Sequence, residues 1–128
     1  MREAEVLIEH ETVGQACVVR LRGAVHMGNS PEVRKVLQHY VKKRTPAILV
    51  SLGETQYVDT SGLATLVECA QNMRRYGGRL LVAGLNAQVA DAFSLAQIEE
   101  FFSVFPTEAD AVAELNRGKT DRREGALS

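Results

Sequence analysis

Asp59-Thr60-Ser61-Gly62 places a carboxylate and two hydroxyls within four residues, and His26 supplies an imidazole elsewhere in the chain. Three chemistries can be set against these residues. A serine hydrolase needs a strained turn with glycine two residues before and two after the nucleophile, and around Ser61 those positions are Asp59 and Leu63. Asp59 is also too close in sequence to act naturally as the third member of a triad. Metal binding would draw on His10, His26, His39, Cys17 and Cys69, which show none of the paired spacings that put two ligands on one side of an ion. Nucleotide binding needs a glycine-rich loop after a strand, whereas Gly77-Gly78 precedes one. The sequence therefore carries no catalytic site and no cofactor. What remains is charge chemistry. A serine in the first turn of a helix lies beside unpaired backbone N–H groups and the positive end of the helix dipole, so a phosphate there is well held. That phosphate adds about −1.5 to −2 charges. The plainer alternative is that Thr60 or Ser61 only caps the helix.

The elements that must position Ser61 follow from periodicity. Val6-Leu7-Ile8 is strand-like, 16–22 alternates, and Gly14 between them predicts a hairpin. Ser30 is the expected cap of a helix with Pro31 at its first position, and Val33, Val36, Leu37, Tyr40 and Val41 form its buried stripe. Lys42, Lys43 and Arg44 suit the negative end of that helix, and Thr45-Pro46 ends it. The continuous apolar run 47–52 reads as a central strand covered on both faces. After 53–58 comes the Ser61 helix, whose apolar stripe is Leu63, Leu66, Val67, Ala70 and Met73, with Cys69 packing at its edge. A strand over 80–83 leads to a helix capped by Asn86 that buries Val89, Ala90 and Phe93. A short strand over 101–105 precedes a last helix capped by Thr107 with Asp110 three residues on. From Asn116 the chain turns polar, so residues 1–116 read as one domain and 117–128 as a flexible polar C-terminal tail. Strands alternating with helices after an opening hairpin give an α/β fold with a mixed β-sheet and about four helices.

Bulk properties exclude several partners. The 128 residues carry 15 basic against 16 acidic side chains, a formal charge of −1, so no global field draws the chain to nucleic acid or to an anionic membrane. The run 42–44 lacks interleaved aromatics and reads as helix termination. No apolar run is long enough to insert in a membrane, and two cysteines are too few for a disulfide framework, so a cytoplasmic protein is expected.

Val58-Asp59-Thr60-Ser61-Gly62-Leu63, set between a buried strand and an amphipathic helix, resembles the signature of the STAS family, the sulfate transporter and anti-sigma factor antagonist domain. The likeness extends from about Val6 to Leu115 and includes Leu21-Arg22-Gly23 and the segment 79–85. It implies a STAS-like fold and a protein–protein signalling module in transcription regulation. Such proteins bind an anti-sigma factor of the serine kinase type and are turned off when that kinase phosphorylates the motif serine, here Ser61. The resemblance also admits a scaffold or accessory subunit of an ABC transporter or signalling assembly, with Ser61 never phosphorylated. Members of the family commonly carry Gly-Glu-Leu-Asp after the second strand, where this chain has Gly23-Ala24-Val25-His26. At 100° per residue, Ser61, Thr65, Glu68 and Asn72 share a stripe expected to face solvent opposite the core. The expected partner surface is Asp59, Thr60, Ser61, Gly62, Thr65 and Glu68, with His26 beside it, and a homodimer stays open.

Overall fold

The computed structural model describes the backbone of residues 6–127 and the side chains of residues 6–117. The chain runs β1 (Val6–Val13), β2 (Ala16–Val25), α1 (Ser30–Lys42), β3 (Ala47–Val58), α2 (Thr60–Arg74), β4 (Arg79–Ala83), α3 (Ala87–Ala96), a single 3-10 turn (Glu99–Phe101), β5 (Ser103–Phe105) and α4 (Glu108–Leu127). The strands form one sheet in the order β1-β2-β3-β4-β5. β1 pairs antiparallel with β2 through the tight turn at Gly14, where φ is +62°, and all other pairs are parallel. The mixed α/β sheet with four helices expected from the sequence is the observed architecture.

Alternation along the strands divides the core. Cys17, Val19, Leu21, Ile48, Val50, Leu52, Leu80 and Val82 point to the face covered by α1, α2 and α3. Val18, Leu49, Leu81 and Ala83 point to the other face, where α4 lays Ala111, Val112 and Leu115. β3 lies in the middle, and each residue from Ala47 to Leu52 is buried. A strand covered on both faces loses period-two polarity, which accounts for the continuous apolar run.

Some elements depart from the sequence reading. The cap of α1 is Asn29 rather than Ser30, and Asn29 makes no side-chain cap bond. Its Oδ1 accepts from His26 N–H at 2.9 Å and its Nδ2 donates to Ala24 C=O at 2.8 Å. Ser30 is already inside the helix and buried, its N–H held by His26 C=O at 2.7 Å. Ala90 is exposed, and Ala92 packs against the core in its place. Phe101 belongs to the 3-10 turn, not to β5. Past Asn116, where an irregular tail is expected, the backbone of α4 stays helical to Leu127. That stretch contains no proline, and Arg117, Lys119, Arg122, Arg123, Glu124, Ala126 and Leu127 favour a helix against Gly118 and Gly125. The side chains of 118–128 lie outside the described residues.

Candidate functional site at the head of the second helix

β3 delivers Asp59 to the N-terminus of α2 as its cap, in extended backbone conformation. One carboxylate oxygen, Oδ1, accepts the Gly62 N–H at 3.0 Å and the Ser61 hydroxyl at 2.7 Å. The other, Oδ2, accepts the Met27 N–H at 3.0 Å from the turn after β2. Asp59 N–H in turn donates to Val25 C=O at 2.9 Å. Two segments about 32 residues apart in sequence are thereby tied at one point. Neither Thr60 nor Ser61 is the cap; the acid ahead of them is.

Burial pushes the Asp59 carboxyl up. The bonds it accepts from the Ser61 hydroxyl and from the Gly62, Met27 and Ser61 N–H groups outweigh that and hold it below the usual carboxylate range. A carboxylate so stabilised is a poor base, so the Ser61 proton directed at it is not readily removed. His26 Nδ1 accepts the Gly28 N–H at 3.0 Å. These bonds give Ser61 the surroundings of a capped helix head.

Gly62 owes its place to close packing. A Cβ built there would fall 2.7 Å from Val58 Cγ1 and 2.8 Å from Val25 Cγ1, so α2 can seat against the ends of β2 and β3 only without a side chain at that position. Glycine thus sets how near Ser61 lies to the turn over 26–28.

The stripe expected to carry the partner is rotated from its predicted place. Thr65 is buried, 8% exposed, and its hydroxyl donates to Ser61 C=O at 2.9 Å. Glu68 Oε2 accepts from Arg34 Nε and Nη2 at 3.0 and 2.8 Å. Both residues lie on the side of α2 along which α1 packs, so Thr65 is corrected from a solvent-facing contact to a packing residue, while Glu68, its side chain 38% exposed, forms an ion pair with Arg34 at the surface. The exposed side carries Thr60, Ala64, Gln71 and Arg74, one residue away and so about 100° around the helix. A helix's apolar stripe fixes its core side, but not which flank a neighbouring helix will cover. Of the expected site residues, the structure gathers Asp59, Thr60, Ser61 and Gly62 with the turn that contains His26.

The sequence reading missed Met27, which is 77% exposed beside this cluster. Its signal was available: a large apolar residue between His26 and Gly28, belonging to no periodic stripe.

Among the described residues, no three His, Cys, Asp or Glu side chains come together as a metal site. The two thiols are free and buried; desolvation pushes Cys17 up to about 11 and Cys69 up to about 12. No helix among the described residues is long and apolar enough to cross a membrane.

Comparison with known proteins agrees with this arrangement. The model of the STAS domain matches residues 7–111. The chain belongs to the STAS domain family. The anti-sigma F factor antagonist of Paenibacillus polymyxa is 26% identical over 109 residues, covering 84% of this chain and 93% of that one. Among solved structures, an anti-sigma factor antagonist from Mycobacterium paratuberculosis superposes with a TM-score of 0.81 at 18% identity, covering 88% of this STAS chain and 96% of that chain. The Bacillus cell fate determinant SpoIIAA in its phosphorylated form superposes with a TM-score of 0.70 at 15% identity, covering 85% and 99%. At these identities the structural likenesses establish the fold.

Proposed function

We infer that this STAS domain is an anti-sigma factor antagonist, a non-enzymatic cytoplasmic regulator of transcription that binds an anti-sigma factor of the serine kinase type around the head of α2 and is switched off by phosphorylation of Ser61. The observation that carries the reading is the seat of Ser61. It lies in the first turn of α2, half-buried, with an exposed Thr60 on one side and a capping carboxylate on the other. A phosphate on Ser61 would lie beside the N–H groups of the helix end that Asp59 now caps, while presenting about two negative charges to whatever covers that end. An interface formed there in the unmodified state would lose its complementarity. The relatives support the same reading: an anti-sigma F factor antagonist is similar in sequence, and a fold neighbour was solved in a phosphorylated form.

The contact surface in this reading consists of Asp59, Thr60, Ser61 and Gly62 with the turn around His26, and extends down the exposed flank of α2 through Ala64. Thr65 and Glu68 are not part of it. The test is titration calorimetry against an anti-sigma factor of the serine kinase type, using wild type, Ser61→Ala and Ser61→Asp. Wild type and Ser61→Ala should bind alike, and Ser61→Asp should bind more weakly. Equal affinity for all three would place the interface elsewhere.

A further inference from the structure

The turn between β2 and α1 is held to the head of α2 by two bonds of different character. Asp59 N–H to Val25 C=O is a backbone bond and does not depend on side-chain charge. Met27 N–H to Asp59 Oδ2, at 3.0 Å, exists only while the carboxylate keeps its present orientation. The other oxygen of that carboxylate takes the Ser61 hydroxyl at 2.7 Å. The switch serine and the tip of the turn therefore share one side chain, and the residue at that tip, Met27, is among the most exposed large apolar residues of the molecule.

We propose that Asp59 is a positioning residue that couples the state of Ser61 to the placement of Met27, so that a phosphate on Ser61 releases the tip of the β2–α1 turn. The inference rests on Ser61 being the phosphorylated residue. In that step the γ-phosphoryl group of ATP moves to Ser61 Oγ, the hydroxyl proton leaves to the kinase's base, and ADP departs. The proton that Ser61 now donates to Asp59 is gone, and an attractive contact becomes a contact between two anions. The N–H groups of Gly62 and Met27 still face the Asp59 carboxylate as donors, so Asp59 remains an anion opposite the phosphate. It must turn away. The phosphate oxygens can then take over Gly62 N–H at the helix end, which keeps α2 capped. Met27 N–H loses its acceptor to solvent. Gly28 N–H on His26 Nδ1 and Asn29 Nδ2 on Ala24 C=O stay in place, so the release is confined to the tip. A partner would meet a displaced Met27 as well as an added charge.

The experiment is amide hydrogen exchange by NMR on the full chain in three forms: unmodified, with phosphoserine installed at position 61 during synthesis, and Asp59→Asn. The expected result is that exchange at Met27 speeds up about tenfold or more in both altered forms, while Val50 in the core of β3 keeps its protection. In Asp59→Asn the amide offers one acceptor where the carboxylate offered two, so phosphate at position 61 should then add nothing further at Met27. Three results would overturn the coupling: a Met27 amide that already exchanges freely in the unmodified protein, one that is unchanged by the phosphate, or an acceleration shared by Val50. If the phosphate weakens partner binding but leaves Met27 protected, the coupling fails and the switch stands. If Met27 is released while the partner binds undiminished, the coupling stands and the switch fails.

Discussion

Gly62→Ala adds one methyl group where the structure has no space. The new Cβ would stand 2.7 Å from Val58 Cγ1 and 2.8 Å from Val25 Cγ1, about an ångström inside ordinary carbon–carbon contact. Neither neighbour yields cheaply. Val25 and Val58 are 2% and 4% exposed, and a β-branched side chain has little rotameric freedom with which to move aside. Overpacking of this kind costs roughly 1–3 kcal/mol. Alanine in place of glycine in a helix returns up to about 1 kcal/mol, and less in the first turn, so the net is a destabilisation of about 1–2 kcal/mol. For a chain of this length that lowers Tm by about 3–8 °C. Thermal unfolding followed by circular dichroism reads it directly. The double substitution Gly62→Ala with Val58→Ala supplies the control: with one of the two clashing methyls removed, it should be more stable than the sum of the single effects by about 1 kcal/mol. A Gly62→Ala protein that melts at or above the wild-type temperature would show that α2 is not seated as described, and would remove the packing account of this glycine.

Two further predictions follow from the same coordinates. The folded pKa of Asp59 lies below its unfolded value of about 3.9, so the stability its ionised form contributes is fully present above about pH 5 and is lost as the pH falls through the folded value. Asp59→Asn should therefore melt below wild type near pH 7, with the gap closing as the pH drops below about 4; a gap that does not vary with pH would contradict the assigned hydrogen bonds. Ending the chain after Arg117 keeps Ala111, Val112 and Leu115 on the sheet, so Tm should move by no more than about 2 °C, and a drop of many degrees would show that 118–128 docks.

The sheet and its helices were legible because their apolar residues repeat cleanly. Period-three-and-four stripes marked α1 and α2, and the run over 47–52 marked a strand buried on both faces. The second half of β3 was harder to read. Gly53, Glu54, Thr55 and Gln56 break the apolar run, and register shifts against β2 near Arg20–Arg22 and Gly23–Ala24 insert extra residues that erase the alternation. Thr55 shows the consequence: a polar residue 2% exposed, satisfied by donating its hydroxyl to Leu21 C=O at 2.7 Å, a partner no local pattern reveals. At the site, the motif string marked the head of α2, in whose first turn Ser61 lies. The role of Asp59 as cap was hidden by the two hydroxyl residues after it, which are equally ordinary caps. The misplacement of Thr65 has a different origin, since it turns on where α1 lies, and the contact that marks this packing, between Arg34 and Glu68, spans 34 residues.

The central claim, that Ser61 is the switch of a partner-binding surface, is tested most directly by one titration. The chain with phosphoserine at position 61 and the unmodified chain are each titrated calorimetrically into an anti-sigma factor of the serine kinase type, with ADP present so that no phosphoryl group is transferred. The account predicts saturable one-to-one binding of the unmodified chain and at least about tenfold weaker binding of the phosphorylated one, because the added charge falls inside the contact surface. Equal binding of the two forms would contradict it.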